Sequence, residues 1–222
     1  MAAQTEPEIV LYDVACIKNN CFSPTVWRVR LILNYKHIPY RTSAGLIPGE
    51  SASKYKYKYQ YTVPTIQHIP TNTYVMNSAP IAQFLESTYS DPPVPLTSEL
   101  GREIEAKARA AAGPAFRMSE YFRRTCEAEL GHRLEDLLDP EKEEQAWDAV
   151  GEGMRAVGEL MRTHKAEGPF VLGARPSGTD FWIAASLQSA RVVDEGVFQR
   201  NVKFPGYKEV YEAYLPYLEK KD

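Results

Sequence analysis

Apolar positions along the chain follow two different periods. Ile9 to Val14 reads IVLYDV, a short run of strand-forming residues. After a loop over residues 16–22, Ser23-Pro24 has the signature of a helix start, with serine as N-cap and proline at the first helical position. From about Thr25 to His37 the apolar residues Val26, Val29, Ile32 and Leu33 recur at helical spacing, and Ile38-Pro39-Tyr40 ends the pattern. Strands are predicted over Tyr40–Ala44, Val63–Ile69 and Thr73–Met76, the last two joined as a hairpin across Pro70-Thr71-Asn72. Asn77-Ser78 opens a helix to about Thr88. The order β-α-β followed by β-β-α predicts one small mixed sheet with helices packed on it.

The pattern then changes. Ser90 to Pro95, SDPPVP, carries three prolines in six residues, which cannot continue a helix and make a linker. Beyond it every periodic segment is helical: Leu100–Ala112, a stretch resuming after Gly113-Pro114 through Leu130, Pro140–His164, Ser177–Val193 and Tyr207–Leu218. The expected organisation is residues 1–90 as a mixed α/β domain, 91–97 as linker and 98–222 as an all-helical domain.

Composition narrows the function. The 222 residues are 44% hydrophobic and 25% charged, ample for a packed core. The net charge of -3 argues against a dedicated nucleic-acid binder, although Lys54, Lys56 and Lys58 alternate with tyrosines in SKYKYKYQY. Three cysteines, Cys16, Cys21 and Cys126, are too few and odd in number for a disulfide framework, and no Cys/His spacing suits a metal. The N-terminus lacks a signal-peptide pattern, and no apolar run reaches the ~18 residues of a membrane span. The expectation is a cytoplasmic protein without metal, membrane or nucleic acid as partner.

Four motifs, in order over almost the whole chain, resemble the cytosolic glutathione transferases, serine-type, and most of all fungal members related to etherases. They are SPTVWRVR (Ser23–Arg30), Val63-Pro64, Asn77-Ser78, and Ser177-Gly178-Thr179-Asp180 after Gly173, the last an S-x-x-D capping box. The resemblance implies a thioredoxin-like first domain and an all-helical second one. It also implies a homodimer, and glutathione as cosubstrate.

A thiol near pKa ~8.5 must ionise to attack. A helix N-terminus with a hydroxyl just ahead of it can stabilise the anion, which makes Ser23 the candidate activating residue. By resemblance, Val63-Pro64 is a cis peptide whose Val63 main chain pairs with the cysteinyl part of glutathione. Ser78 meets the γ-glutamyl carboxylate and Asn77 the ammonium, where the family more often has Glu, Asp or Gln. A lysine ahead of Val63, Lys54 for preference, meets the glycyl carboxylate. Cys21, two residues before Ser23, is the weaker nucleophile candidate. Phe22, Phe116 and Tyr121, with Met118 and Phe122 nearby, are expected to line a pocket for an apolar electrophile. Arg109, Arg117, Arg123 and Arg124 raise the basic character around it. Conjugation, glutathione-dependent isomerisation and ether cleavage all fit such a site. A non-catalytic binding or dimerisation module is the alternative of another class.

Overall fold

The computed structural model describes residues 6–13, 21–44, 63–112 and 140–219. Four short strands form one sheet in the order β2-β1-β3-β4. They are β1 (Ile9–Asp13), β2 (Tyr40–Ala44), β3 (Thr65–His68) and β4 (Thr73–Met76). β1 runs parallel to β2, pairing Ile9 with Tyr40 and Leu11 with Thr42. It runs antiparallel to β3, which pairs in turn with β4. β1 is buried along its whole length, as a strand covered on both faces must be.

Between β1 and β2 runs helix α1 (Pro24–Tyr35). It stops where Lys36 caps it and His37 takes a left-handed φ of 55°, two residues earlier than the sequence pattern suggests. The Val63–Ile69 strand is likewise shorter than expected, because Val63-Pro64 lies ahead of the first ladder pair at Thr65. Helix α2 (Ser78–Thr88) packs Ile81 and Leu85 under the sheet.

The second half is helical: α3 (Glu99–Ala112), α4 (Pro140–Met161), α5 (Gly178–Val193), α6 (Glu195–Asn201) and α7 (Tyr207–Leu218). The short α6 was not expected from periodicity. Asp194 builds it, its carboxylate accepting from the backbone N–H groups of Gly196 and Val197. At the head of α5 the S-x-x-D box is formed. Asp180 accepts from the Ser177 hydroxyl at 2.5 Å and backbone N–H at 2.9 Å, and from the Val171 N–H at 2.8 Å. Burial pushes the Asp180 carboxyl up from its usual range, and these three donors oppose that shift.

One buried cluster runs through both halves. Its seam is α1, in which six consecutive residues, Val29 to Asn34, are buried. No helix with water on one side can do this. One side of α1 faces the sheet, and its principal helix contact is α5. Tyr35 meets Phe181 edge-on at 5.6 Å, and Phe181 meets Tyr214 at 5.0 Å. Lys36, whose side chain is wholly buried, ties α1 to the interdomain segment. Its ammonium donates to the carbonyls of Tyr89 (2.6 Å) and Pro92 (2.8 Å) and pairs with Glu86 at 2.7 Å. Among the described residues no helix is long and apolar enough to cross a membrane.

Candidate functional site

The N-terminus of α1 is held from several sides. The Trp27 indole N–H donates to the Cys21 carbonyl at 2.6 Å, and the Ser189 hydroxyl, from α5, donates to the Phe22 carbonyl. The Ser23 carbonyl accepts the first helical bond from the Trp27 N–H at 3.0 Å. Ser23 therefore sits at the N-cap with extended backbone, followed by proline at the first helical position. Its hydroxyl oxygen accepts from the Val26 N–H at 3.4 Å, a long cap bond, and lies 2.9 Å from the Thr25 hydroxyl. A half-buried hydroxyl so weakly committed can turn its proton toward an incoming anion at the positive end of the helix.

Cys21 is built for the opposite purpose. The thiol is buried and donates to Asp13 at 3.3 Å. Burial first, and the Asp13 carboxylate second, push its pKa up, away from a thiolate. The nearby Arg30–Asp13 ion pair, 2.7 Å and buried, ties α1 to the end of β1, with Arg30 also 5.6 Å from the Trp27 ring centre. The geometry does not support a redox role for Cys21.

Val63-Pro64 is a cis peptide, as the sequence motif implies. Val63 is exposed, and the Pro64 carbonyl accepts from the Asn77 N–H at 3.0 Å, so the turn before β3 and the start of α2 are fastened together. Asn77 takes a positive φ of 70° and its side chain does not cap α2. The first N–H groups of α2 are thus left to another acceptor beside a half-buried Ser78.

A cavity of about 550 Å³ opens between these two helix N-termini and the helical domain. Pro24 and Thr25 of α1 and Ser78 and Ala79 of α2 form one side. Ala108 and Arg109 of α3, Met154 and Val157 of α4, and Trp182, Ile183, Ser186 and Leu187 of α5 form the other. Arg28, from the second turn of α1, projects into the same space. The wall is predominantly apolar, as small-molecule sites are.

The expected pocket residues fare differently. Phe22 is half-buried ahead of Ser23 and is not part of this lining. Phe116 and Tyr121, with Met118 and Phe122, lie outside the described residues, as does Lys54. Trp182, Arg28, Val157 and Leu187 were missed by sequence reasoning. Aliphatic and aromatic residues at helical spacing signal a buried face without saying whether protein or ligand covers it. Arg109 was noted only as a basic neighbour. It lies over the Trp182 ring at 5.6 Å and pairs with Glu105 at 2.9 Å.

Comparison with known proteins agrees with this architecture. Residues 19–93 match the model of the glutathione S-transferase N-terminal domain, and residues 114–201 that of the C-terminal domain. The glutathione S-transferase-like protein ustS of Aspergillus flavus is 27% identical, over 89% of this chain and 85% of its own length. A glutathione S-transferase of Ceriporiopsis subvermispora, solved in complex with glutathione, superposes with a TM-score of 0.75 at 25% identity, covering 96% of this chain and 99% of that one. The maleylacetoacetate isomerase of Anaeromyxobacter dehalogenans shares the fold at a TM-score of 0.59 and 18% identity, over 96% of this chain and 90% of its own. With both domain models matched in order along the chain, on a thioredoxin-like four-stranded sheet joined to a helical domain, this protein belongs to the glutathione S-transferase family.

Proposed function

We propose that this chain is a glutathione-dependent enzyme in which Ser23 steadies the glutathione thiolate for attack on an apolar electrophile. The observation that carries the reading is the position of Ser23. It caps α1 with a long, weak bond, immediately ahead of Pro24 and Thr25, which with Ser78 border the cavity. Glutathione supplies the nucleophilic sulfur when bound. The residues at hand suit it. Ser78, at an N-terminus that no side chain caps, offers its hydroxyl and N–H to the γ-glutamyl carboxylate. Asn77 offers an amide oxygen to the ammonium. Val63, an exposed residue just ahead of Pro64, offers its main-chain N–H and carbonyl to the cysteinyl unit. Lys54 is assigned to the glycyl carboxylate, and Phe22, Phe116 and Tyr121 to the flanks of the electrophile. A cytoplasmic homodimer acting in detoxification or specialised metabolism is the setting this reading suits.

Replacing Ser23 by Ala tests it. One hydrogen bond to a charged group is worth roughly 1.5–3 kcal/mol, so turnover of 1-chloro-2,4-dinitrobenzene should fall about ten- to a hundredfold. The apparent thiol pKa in the kcat/KM profile should rise by about one to two units. Unchanged turnover would exclude Ser23 as the activating group. Glutathione binding without turnover of any electrophile would indicate a non-catalytic module. Product analysis separates the three chemistries: a stable conjugate, a rearranged substrate with glutathione returned, or a cleaved aryl ether.

A further inference from the structure

We infer that the cavity between the domains takes an electrophile bearing a carboxylate, gripped by Arg28 and Arg109 while its apolar body lies against Trp182, Val157 and Leu187. This rests on the glutathione-dependent reading above and specifies its second substrate.

Arg28 carries the argument. Its guanidinium has five N–H donors, yet among the described residues it makes one hydrogen bond, to the Gly178 carbonyl at 3.4 Å. Its Nε is buried with no partner, and no described carboxylate pairs with it. Burial disfavours its charge, with Glu105 opposing that shift and Arg109 adding to it. A cation kept in an apolar wall at that cost, with donors unspent, is arranged for a ligand rather than for the fold. Glu105 does not neutralise the site. One of its oxygens is taken by Arg109 at 2.9 Å and the other by the Thr179 hydroxyl at 3.0 Å. Two arginines in the described lining against the one carboxylate beside it, Glu105, leave a single net positive charge, which matches a monoanion. Guanidinium forks match the two oxygens of a carboxylate. Arg109, 5.6 Å from the Trp182 ring centre and with its side chain 65% exposed, lines the same cavity.

The chemistry balances for a carboxylate-bearing enone such as 3-benzoylacrylate. The thiolate sulfur forms a bond to the alkene carbon β to the ketone. The alkene π pair shifts to the adjacent carbon, which takes a proton from water, and nothing is oxidised or reduced.

The test uses two readouts on the full chain. In the first, 3-benzoylpropanoate and its methyl ester, which cannot react with thiols, are titrated in the presence of glutathione, following tryptophan fluorescence. The acid should bind at least about tenfold more tightly than the ester, from the added charge-assisted hydrogen bonds. In Arg28→Gln that ratio should collapse toward one, and in Arg109→Gln it should fall part of the way. Equal binding of acid and ester overturns the proposal. So does an Arg28→Gln variant that loses affinity for glutathione with the ratio intact, since the arginine then holds the tripeptide's own carboxylate. Should Arg28→Gln fail to fold, the parent acid-to-ester ratio and the exposed Arg109→Gln decide. In the second readout, turnover of 3-benzoylacrylate reports on the glutathione reading alone. Acid-selective binding without turnover sinks the enzyme and keeps the arginine site; turnover with no acid preference does the reverse.

Discussion

Replacing Lys36 by Met removes one ammonium and keeps the apolar stem. The side chain is 0% exposed, so no water substitutes for the lost donor. Three acceptors lose their partner: the carbonyls of Tyr89 and Pro92, and the Glu86 carboxylate, whose side chain is 26% exposed. Glu86 also receives the Val94 N–H at 3.1 Å, so part of its charge stays compensated. Removing one member of a buried ion pair costs about 3–5 kcal/mol. Two carbonyls deprived of a charged donor would add to this, but their spare lone pairs can relax toward solvent at the segment's edge, which keeps the sum near about 4 kcal/mol. Against a total stability of roughly 5–15 kcal/mol, such a loss is readily seen in urea unfolding as a lower midpoint at unchanged m-value. Glu86→Gln keeps an acceptor for both Lys36 and Val94 but leaves the wholly buried ammonium without a counter-charge, so it should lower stability in the same range. A Lys36→Met variant within about 1 kcal/mol of the parent would refute the view that this ammonium anchors the interdomain segment.

Asp180→Ala strands three buried donors, two of them backbone N–H groups, and should lower stability by about 3–5 kcal/mol in the same assay, with Asp180→Asn intermediate. Gly158→Ala would place a Cβ 2.0 Å from the Pro205 carbonyl oxygen, where backbone must move, and should lower the melting temperature clearly, by at least ~1–3 kcal/mol equivalent. Cys21, with its pKa raised by burial and by Asp13, stays a neutral thiol in the folded protein. Its alkylation by iodoacetamide, followed by peptide mass, should stay slow and nearly flat from about pH 7 to about pH 9, and rise only on unfolding. Arg28→Met removes a half-buried, barely partnered cation and should leave unfolding stability unchanged or raise it, while Arg30→Met, which breaks the buried pair with Asp13, should lower it by about 3 kcal/mol or more.

The elements that could be read from the sequence are those whose boundaries are set by local chemistry. β4 and α7 begin and end at the expected residues, and α2 starts at Ser78 and ends at Thr88 as the pattern implied. Ser23-Pro24 and Ser177–Asp180 mark helix starts because a short polar side chain and a backbone N–H need only each other. The strand over Val63–Ile69 was drawn too long because a ladder needs a partner strand, which local sequence does not contain. α6 escaped because seven residues make too few turns for periodicity to register. The local geometry at Ser23, Val63-Pro64 and Asn77-Ser78 was legible because it depends on backbone. The candidate site was opaque where it depends on which helices face one another. Arg28 and Trp182 look like ordinary helix positions until α1, α3 and α5 are set around the same space.

The Ser189 hydroxyl on the Phe22 carbonyl has an implication for how such a chain can be divided. The loop that aims Ser23 is clamped by a residue more than 160 positions away, in the other domain. Cutting the gene at the proline-rich joint would not yield two halves that each keep their own geometry. The severed first half would bare the α5-facing side of its own seam helix and lose the peg behind its serine. A grafted foreign helical half would hold the Phe22 carbonyl only if it arrives with a hydroxyl in register, which makes position 189 a compatibility key for chimeras.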